Sequence, residues 1–267
     1  MPGAYTNMPE LPDLELDKRL VDAHAVGRTV RTVTVRDKRV LEQPASVLER
    51  GVKGRRLARS ERHGKNLFIH LDNGQALLMH FGMTGYLKFA KSDEALQKSE
   101  AVVFVLDDDQ RLSYCSRRML GRVELVEAVR DYLDAHRIGP DALSLDARGF
   151  RERLGQRGGL KAALMDQSKL AGLGNVYSDE TLFQAGLHPR TPLNALNEDD
   201  FARLFRCMRE VLETAIAHEG KRPELPAGWL TPHRHEDERC PRCGSPWSVA
   251  QVGGRTTFWC PKDQPER

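Results

Sequence analysis

Apolar residues in this chain keep one spacing up to about residue 126 and another after it, and that switch leaves few folds open. From Arg28 to Val126, short β-branched and apolar runs ("TVRTVTV", "NLFIHL", "ALLMHF", "VVFVL", "GRVELV") are divided by turns such as Asp72-Asn73-Gly74 and Asp107-Asp108-Asp109. This half reads as a β-sandwich or barrel. After a connector, "HRIGPDALSLD", helical spacing takes over in "FRERLGQ", "LKAALMDQ", "VYSDETLFQAG" and "EDDFARLFRCMREVLETAIAHEG". One helix precedes the strands: Leu14, Leu20, Val21 and Ala25 recur near helical spacing, Pro12 suits a first turn and Gly27 a stop. The fold class is therefore α+β.

With 267 residues, 40% of them hydrophobic, the chain has the material for a core of its own, in one large domain or two small ones. A net charge of +3 from 41 basic and 38 acidic side chains implies a polyanion partner only if the basic groups gather on one face. No targeting segment is evident and no apolar run is long enough for a bilayer, so a soluble, cytoplasmic protein is expected. Cys115 and Cys207 sit alone in patterned segments, as small buried apolar side chains do.

The other three cysteines cluster near the end, in "CPRCGSPWSVAQVGGRTTFWCPKD". Cys240 and Cys243 are two residues apart and Cys260 follows two strands turning at Gly253-Gly254, so two knuckles can face one tetrahedral zinc ion. Where a four-cysteine ribbon would have its last thiolate stands Asp263. Its carboxylate is one candidate fourth ligand, His233 or His235 another, and a metal-free ribbon held by packing is the remaining reading. Earlier, "LAGLGNVYSDETLFQAGLHP" sets Gly172, Gly174 and Asn175 before a helical run, with Asn175 placed as an N-cap; a helix start approached by glycine backbone suits an anion, and equally a plain helix-helix turn.

Together "MPELPDLE", "RHGKNLFIHL", "LLMHFGMTG", "LMDQSKLAGLGNVYSDETLFQAGLHP" and "CPRCG...GGRTTFWCP" resemble, in order and spacing, the formamidopyrimidine-DNA glycosylase and endonuclease VIII family, across nearly the whole chain from Met8. The resemblance implies an N-terminal catalytic β-sandwich domain over 9–127, a helical DNA-binding domain with a helix, two-turn, helix element over 140–222, and a zinc-ribbon β-hairpin over 233–264. DNA would lie in the cleft between. It further implies a monomeric, bifunctional glycosylase and abasic-site lyase of base-excision repair, acting on duplex DNA with oxidised bases or abasic sites. Pro9 matches the nucleophile that attacks C1′ and forms an iminium, and Glu10 the acid that protonates the opening sugar. Lys65 matches the lysine that touches phosphate and assists elimination. Asn175 and Arg255 match the phosphate-gripping pair, Arg255 also serving the catalytic centre. Met83, Arg118 and Leu120 match the residues that fill the void left by an everted base, and His80 a backbone contact. One zinc ion, held by Cys240, Cys243, Cys260 and Asp263, would be structural.

Each of these residues also has an ordinary reading: Lys65 a solvated turn lysine, Met83 and His80 core side chains, Arg255 a surface arginine, Glu10 a carboxylate at a helix start. The chain departs from the family pattern at Leu120, where an aromatic is usual, at Asp13, one methylene shorter than the usual acid, and at Ser99-Glu100-Ala101, where a DNA contact is expected. The segment "GKRPELPAGWLTPHRHEDER" is shorter than in members that cap 8-oxoguanine, which leaves oxidised purines and pyrimidines both open. An internal proline has no nucleophilic nitrogen, whereas a terminal secondary amine is partly unprotonated near neutral pH. The working protein is therefore expected to start at Pro9, by translation from Met8 and loss of that methionine, with residues 1–7 an extension. If Pro9 stays internal, a catalytically silent damaged-DNA-binding protein of the same fold is the alternative.

Overall fold

Seven of the eight strands in the first half are joined by short reversals, and together the eight form two four-stranded antiparallel sheets. The computed structural model describes residues 8–266, which fall into two units: residues 8–9 with Asp13–His136, and Glu10–Pro12 with residues 137–266. The expectation about residues 1–7 lies outside the described residues.

In the first unit one sheet has the order β1-β6-β7-β5 and the other β2-β3-β4-β8. Their strands are β1 (Val30–Val35), β2 (Leu57–His63), β3 (Asn66–Leu71), β4 (Ala76–His80), β5 (Gly85–Lys91), β6 (Glu100–Leu106), β7 (Gln110–Ser116) and β8 (Arg122–Val126). The sandwich alternative is the one adopted. Leu67, Ile69, Leu77, Met79, Val102, Phe104, Leu112 and Tyr114 pack in one core with Leu14 and Val21 of α1 (Leu11–His24). Arg62 donates to Glu15 of α1 at 3.0 Å, and Ser60 to Asp22 at 2.5 Å. Two short helices, α2 (Ala45–Val52) and α3 (Val129–Ala135), carry too few periodic positions to stand out in the sequence; α2 buries Leu48 and Val52 in the same core.

Ser99-Glu100-Ala101 acquires an internal role. The buried Glu100 carboxylate faces Arg111 at 3.2 Å, Ser113 at 2.7 Å and Lys88 at 3.3 Å. The same buried guanidinium donates to the carbonyls of Lys91, Glu94 and Ala95, so one residue pins the turn between β5 and β6.

The second unit contains α4 (Ala147–Leu154), α5 (Leu160–Met165), α6 (Asn175–Ala185) and α7 (Glu198–Ala217), followed by the hairpin β9 (Ser248–Val252) and β10 (Arg255–Trp259). Asn197 starts α7 with a capping box closed by Asp200. Arg255 pairs with Val252, so Gly253-Gly254 is a two-residue turn, and both glycines have positive φ (59° and 73°) as that turn demands. Among the described residues no helix is long and apolar enough to cross a membrane.

Burial alone would push the Glu100 pKa up, but the Gln97 amide, the Ser113 hydroxyl, Arg111 and Lys88 outweigh it and hold the carboxyl at about 2. Because the folded value lies below the unfolded one, this stabilisation is complete above about 4.5 and is lost as pH falls toward 2. Glu100→Ala, which strands a buried guanidinium, should cost about 3 kcal/mol in denaturant unfolding at pH 7 and flatten the acid limb of stability between those two values.

Candidate functional site

The N-terminus of α6 is where the sequence's glycine pattern becomes geometry. Gly172 holds φ at +124°, and a Cβ there would come within 2.6 Å of the Leu11 side chain; its carbonyl accepts the Leu11 N–H at 3.0 Å. Gln167 braces the turn, accepting from the Gly172 N–H at 3.0 Å and donating to the Leu173 carbonyl at 2.8 Å. The helix cap is Gly174, and Asn175 is the first helical residue rather than the N-cap. The cap's role falls to a distant side chain. Glu10, 2% exposed, accepts from the backbone N–H groups of Gly174 (2.6 Å), Val176 (2.9 Å) and Tyr177 (3.3 Å). The expected anion at this helix start is therefore Glu10's own carboxylate, serving α6 rather than α1.

Asn175 is thereby freed for other contacts. Its side-chain oxygen accepts from Lys161 Nζ at 2.7 Å, and its amide nitrogen donates to the Thr256 carbonyl on β10 at 2.9 Å, which leaves one amide N–H for a ligand. Arg255, the first residue of β10, is exposed beside the Gly253-Gly254 turn. Sequence reasoning missed what ties these together: Lys161, Asp179 and Arg234, a buried charge cluster with Lys161–Asp179 at 2.7 Å and Arg234–Asp179 at 2.8 Å. A signal for it existed, since α6 is buried on nearly every side yet carries Asp179 and Glu180 mid-helix, and such acids require donors from elsewhere.

In the first unit, Pro9 is buried and Lys65 is half-buried in the two-residue turn between β2 and β3. His80 ends β4; its Nδ1 accepts from the Gly82 N–H at 3.3 Å. Burial, aided by the cations of Arg122 and Lys65, lowers its pKa to about 4, so the ring is neutral at pH 7. Beyond it, the loops carrying Met83 and Arg118 meet: Arg118 donates to the Met83 sulfur at 3.4 Å and, through its backbone, to Thr84 at 3.1 Å. Glycine permits the approach, because a Cβ on Gly82 would lie 2.4 Å from the Leu120 carbonyl and one on Gly121 1.8 Å from the Tyr114 hydroxyl. Met83 and Leu120 stand out at 38% and 53% exposure, which sets Met83 apart from a core side chain.

At the end of the chain, one ligand atom each from Cys240, Cys243, Cys260 and Asp263 lies within 4.8 Å of the others, a donor set that fits a tetrahedral metal ion. Neither histidine belongs to that group: His233 faces Glu238 and the Ala227 carbonyl, and His235 faces Asp237. Cys115 is buried, and burial pushes its thiol to about 12, while Cys207 is only partly buried.

Residues 8–123 match the formamidopyrimidine-DNA glycosylase N-terminal domain and residues 138–224 the H2TH domain of the same enzyme. Formamidopyrimidine-DNA glycosylase of Laribacter hongkongensis is 34% identical over 96% of this chain and all of its own length, and that of Acidithiobacillus ferrooxidans 33% over the same shares. Among solved structures, the Lactococcus lactis enzyme bound non-covalently to DNA containing an AP site covers 96% of this chain and all of its own, with a TM-score of 0.87 at 28% identity. The same enzyme in complex with FAPY-dG-containing DNA gives a TM-score of 0.88 over 96% of this chain.

The His80 geometry sets a pH dependence. With the folded pKa near 4 and the unfolded value near 6.5, His80 contributes stability that is complete above 6.5 and lost as pH falls toward 4. NMR of the ring protons should show a midpoint near 4, and His80→Gln should remove that part of the acid sensitivity; a midpoint near 6.5 would contradict the assignment.

Proposed function

Because the chain belongs to the formamidopyrimidine-DNA glycosylase family, and so is a DNA glycosylase of base-excision repair, we propose that it is also an abasic-site lyase working through a Schiff base at Pro9. The observation that carries this reading is the seat of Glu10. Three amide donors fix the carboxylate, and with it the residue one peptide bond upstream. A chain that begins at Pro9 has a secondary amine at that fixed point.

The reaction follows from these groups. The Pro9 nitrogen bonds to C1′ of the damaged nucleotide as the bond to the base breaks, and the base leaves with a proton taken from solvent. The Glu10 carboxylate takes the proton that the Pro9 nitrogen sheds and hands it to the ring oxygen as the sugar opens, which gives an iminium between Pro9 and C1′. Loss of a C2′ proton then expels the 3′ phosphate, with Lys65 beside the phosphate neutralising charge, and water releases the proline. Reaching C1′ requires eversion of the nucleotide. Met83, Arg118 and Leu120 fill the vacated space, and their exposure supports that role. Asn175 and Arg255 hold backbone phosphates, and the neutral His80 ring supports the β4 end near Lys65. On this reading residues 9–127 carry the chemistry, 140–222 grip DNA, and 233–264 form the metal-braced hairpin. Its substrate is duplex DNA with oxidised bases or abasic sites.

The metal is zinc, held by Cys240, Cys243, Cys260 and Asp263 in a structural role; bound there it supplies a crosslink between the two knuckles and no chemistry. Elemental analysis of tag-free protein should find about one zinc per chain, and Asp263→Cys should slow its loss to a chelator about tenfold or more. A content below roughly a tenth of an equivalent would favour a packed, metal-free ribbon.

Lyase action is tested by borohydride trapping on an abasic-site duplex, paired with intact mass of the natively expressed protein. A chain starting at Pro9 should trap covalently, Pro9→Gly poorly, and Lys65→Ala should slow strand cleavage about 10²-fold while leaving binding within a few fold. A cellular chain that retains residues 1–7, binds abasic duplex and never traps would establish the catalytically silent reading instead.

A further inference from the structure

Lys161 and Asp179 have no exposed side-chain surface and Arg234 keeps 16%, so three ionised groups lie buried together. Apolar side chains of similar volume would be at least as stable in such a place, so the cluster calls for a role in holding something. Each member of it reaches β10 next to Arg255. Lys161 donates to the Thr257 hydroxyl at 2.6 Å, and that hydroxyl donates onward to the Arg255 carbonyl at 2.9 Å. Arg234 donates to the Thr256 carbonyl at 2.9 Å and lies 4.7 Å over the Phe258 ring, whose N–H donates to Asp179 at 3.2 Å. The other end of the cluster is Asn175: Lys161 donates to its side-chain oxygen, and its amide nitrogen shares the Thr256 carbonyl with Arg234. Hydrogen bonds to Asn175 and Thr257 and the ion pair with Asp179 hold Lys161 in one position. Burial pushes the Lys161 pKa down and the Asp179 pKa up, each opposed by the partner's charge.

We infer that Asp179, Arg234 and Thr257 are positioning residues that fix β10, and with it the Arg255 guanidinium, at a set offset from the Asn175 amide, so that the two grip neighbouring phosphates together. This rests on the DNA-binding reading of Asn175 and Arg255 given above. A two-residue turn of glycines would by itself let the hairpin tip and its arginine range widely. The network removes that freedom at the three residues after the turn, and it does so from the helix that also seats Glu10.

The test is a double-mutant cycle on binding to a duplex with a tetrahydrofuran abasic analogue, with thermal midpoints recorded for every variant. Thr257→Val and Arg234→Gln should each weaken binding about tenfold, the size of one charge-assisted contact, and Arg234→Lys should fall between wild type and Arg234→Gln. In an Arg255→Ala background the further loss from either should shrink to about twofold or less, because the group they position is gone. A general loss of stability would instead multiply with Arg255→Ala. Single-variant effects that persist undiminished in that background overturn the inference alone. Thr257→Val, nearly isosteric, decides the matter if Arg234→Gln does not fold. A wild-type protein without preference for the abasic duplex, or one indifferent to Arg255→Ala, overturns the functional reading and this inference with it.

Discussion

Three backbone N–H groups at the start of α6 converge on the Glu10 carboxylate, and much of the second unit is arranged to allow it. The first amides of any helix lack internal acceptors, and at an exposed end water would satisfy them. α6 is buried along nearly its whole length, so an anion has to be supplied from the chain. Gly172 makes room for Leu11 with a backbone no other residue adopts without strain, Gly174 presents its N–H, and Gln167 closes the turn. A helix start filled in this way is closed to phosphate. In the proposed function the grip on DNA backbone therefore passes to side chains: the Asn175 amide, one residue into the helix, and Arg255 on the hairpin.

The same helix carries two further buried acids, and they work differently from Glu10. Glu180 accepts from the Leu230 and Thr231 N–H groups and the Thr231 hydroxyl, which anchors the segment leading to Arg234. Asp179 meets two cations. Each acid is paid for by donors that come from a different element, so α6 becomes the post against which α5, the segment at 230–234 and β10 are all measured. Buried ion pairs are weak evidence for stability, because desolvation takes back most of what the attraction gives. What they do give is a unique arrangement, since a misplaced β10 would leave a buried charge without its partner.

How much of this was legible beforehand follows from the range of each signal. Period and turn chemistry act within a few residues, so the strands, the long capped α7 and the Gly253-Gly254 hairpin could be read directly. The short α2 and α3 could not, having two turns or fewer in which to show a period. Spacing placed three cysteines on one centre, and only the fold separates Asp263 from His233 and His235 as the fourth donor. Asn175 as an N-cap was a sound local inference that lost to a partner 165 residues away: Glu10 took the amides, and Asn175 moved one position into the helix. The Lys161, Asp179 and Arg234 cluster spans 73 residues of sequence and leaves only an indirect mark, charges at positions that helical spacing marks as buried.

Exposure separates the two kinds of work the proposed reaction asks of these residues. A group that must deliver a proton to one atom has to be held still, and Glu10 is 2% exposed with three donors on it. A group that must replace a base in a stack has to project into solvent before DNA arrives, which is costly for an apolar side chain; Leu120 at 53% and Met83 at 38% bear that cost. The presentation of Leu120 does not depend on its own side chain. The loops are locked by the close approach of Gly82 to the Leu120 carbonyl and of Gly121 to Tyr114, and by Arg118 reaching Met83 and Thr84. In the proposed role, leucine at this position offers less area for stacking than an aromatic ring would, on a loop whose course is set by backbone contacts.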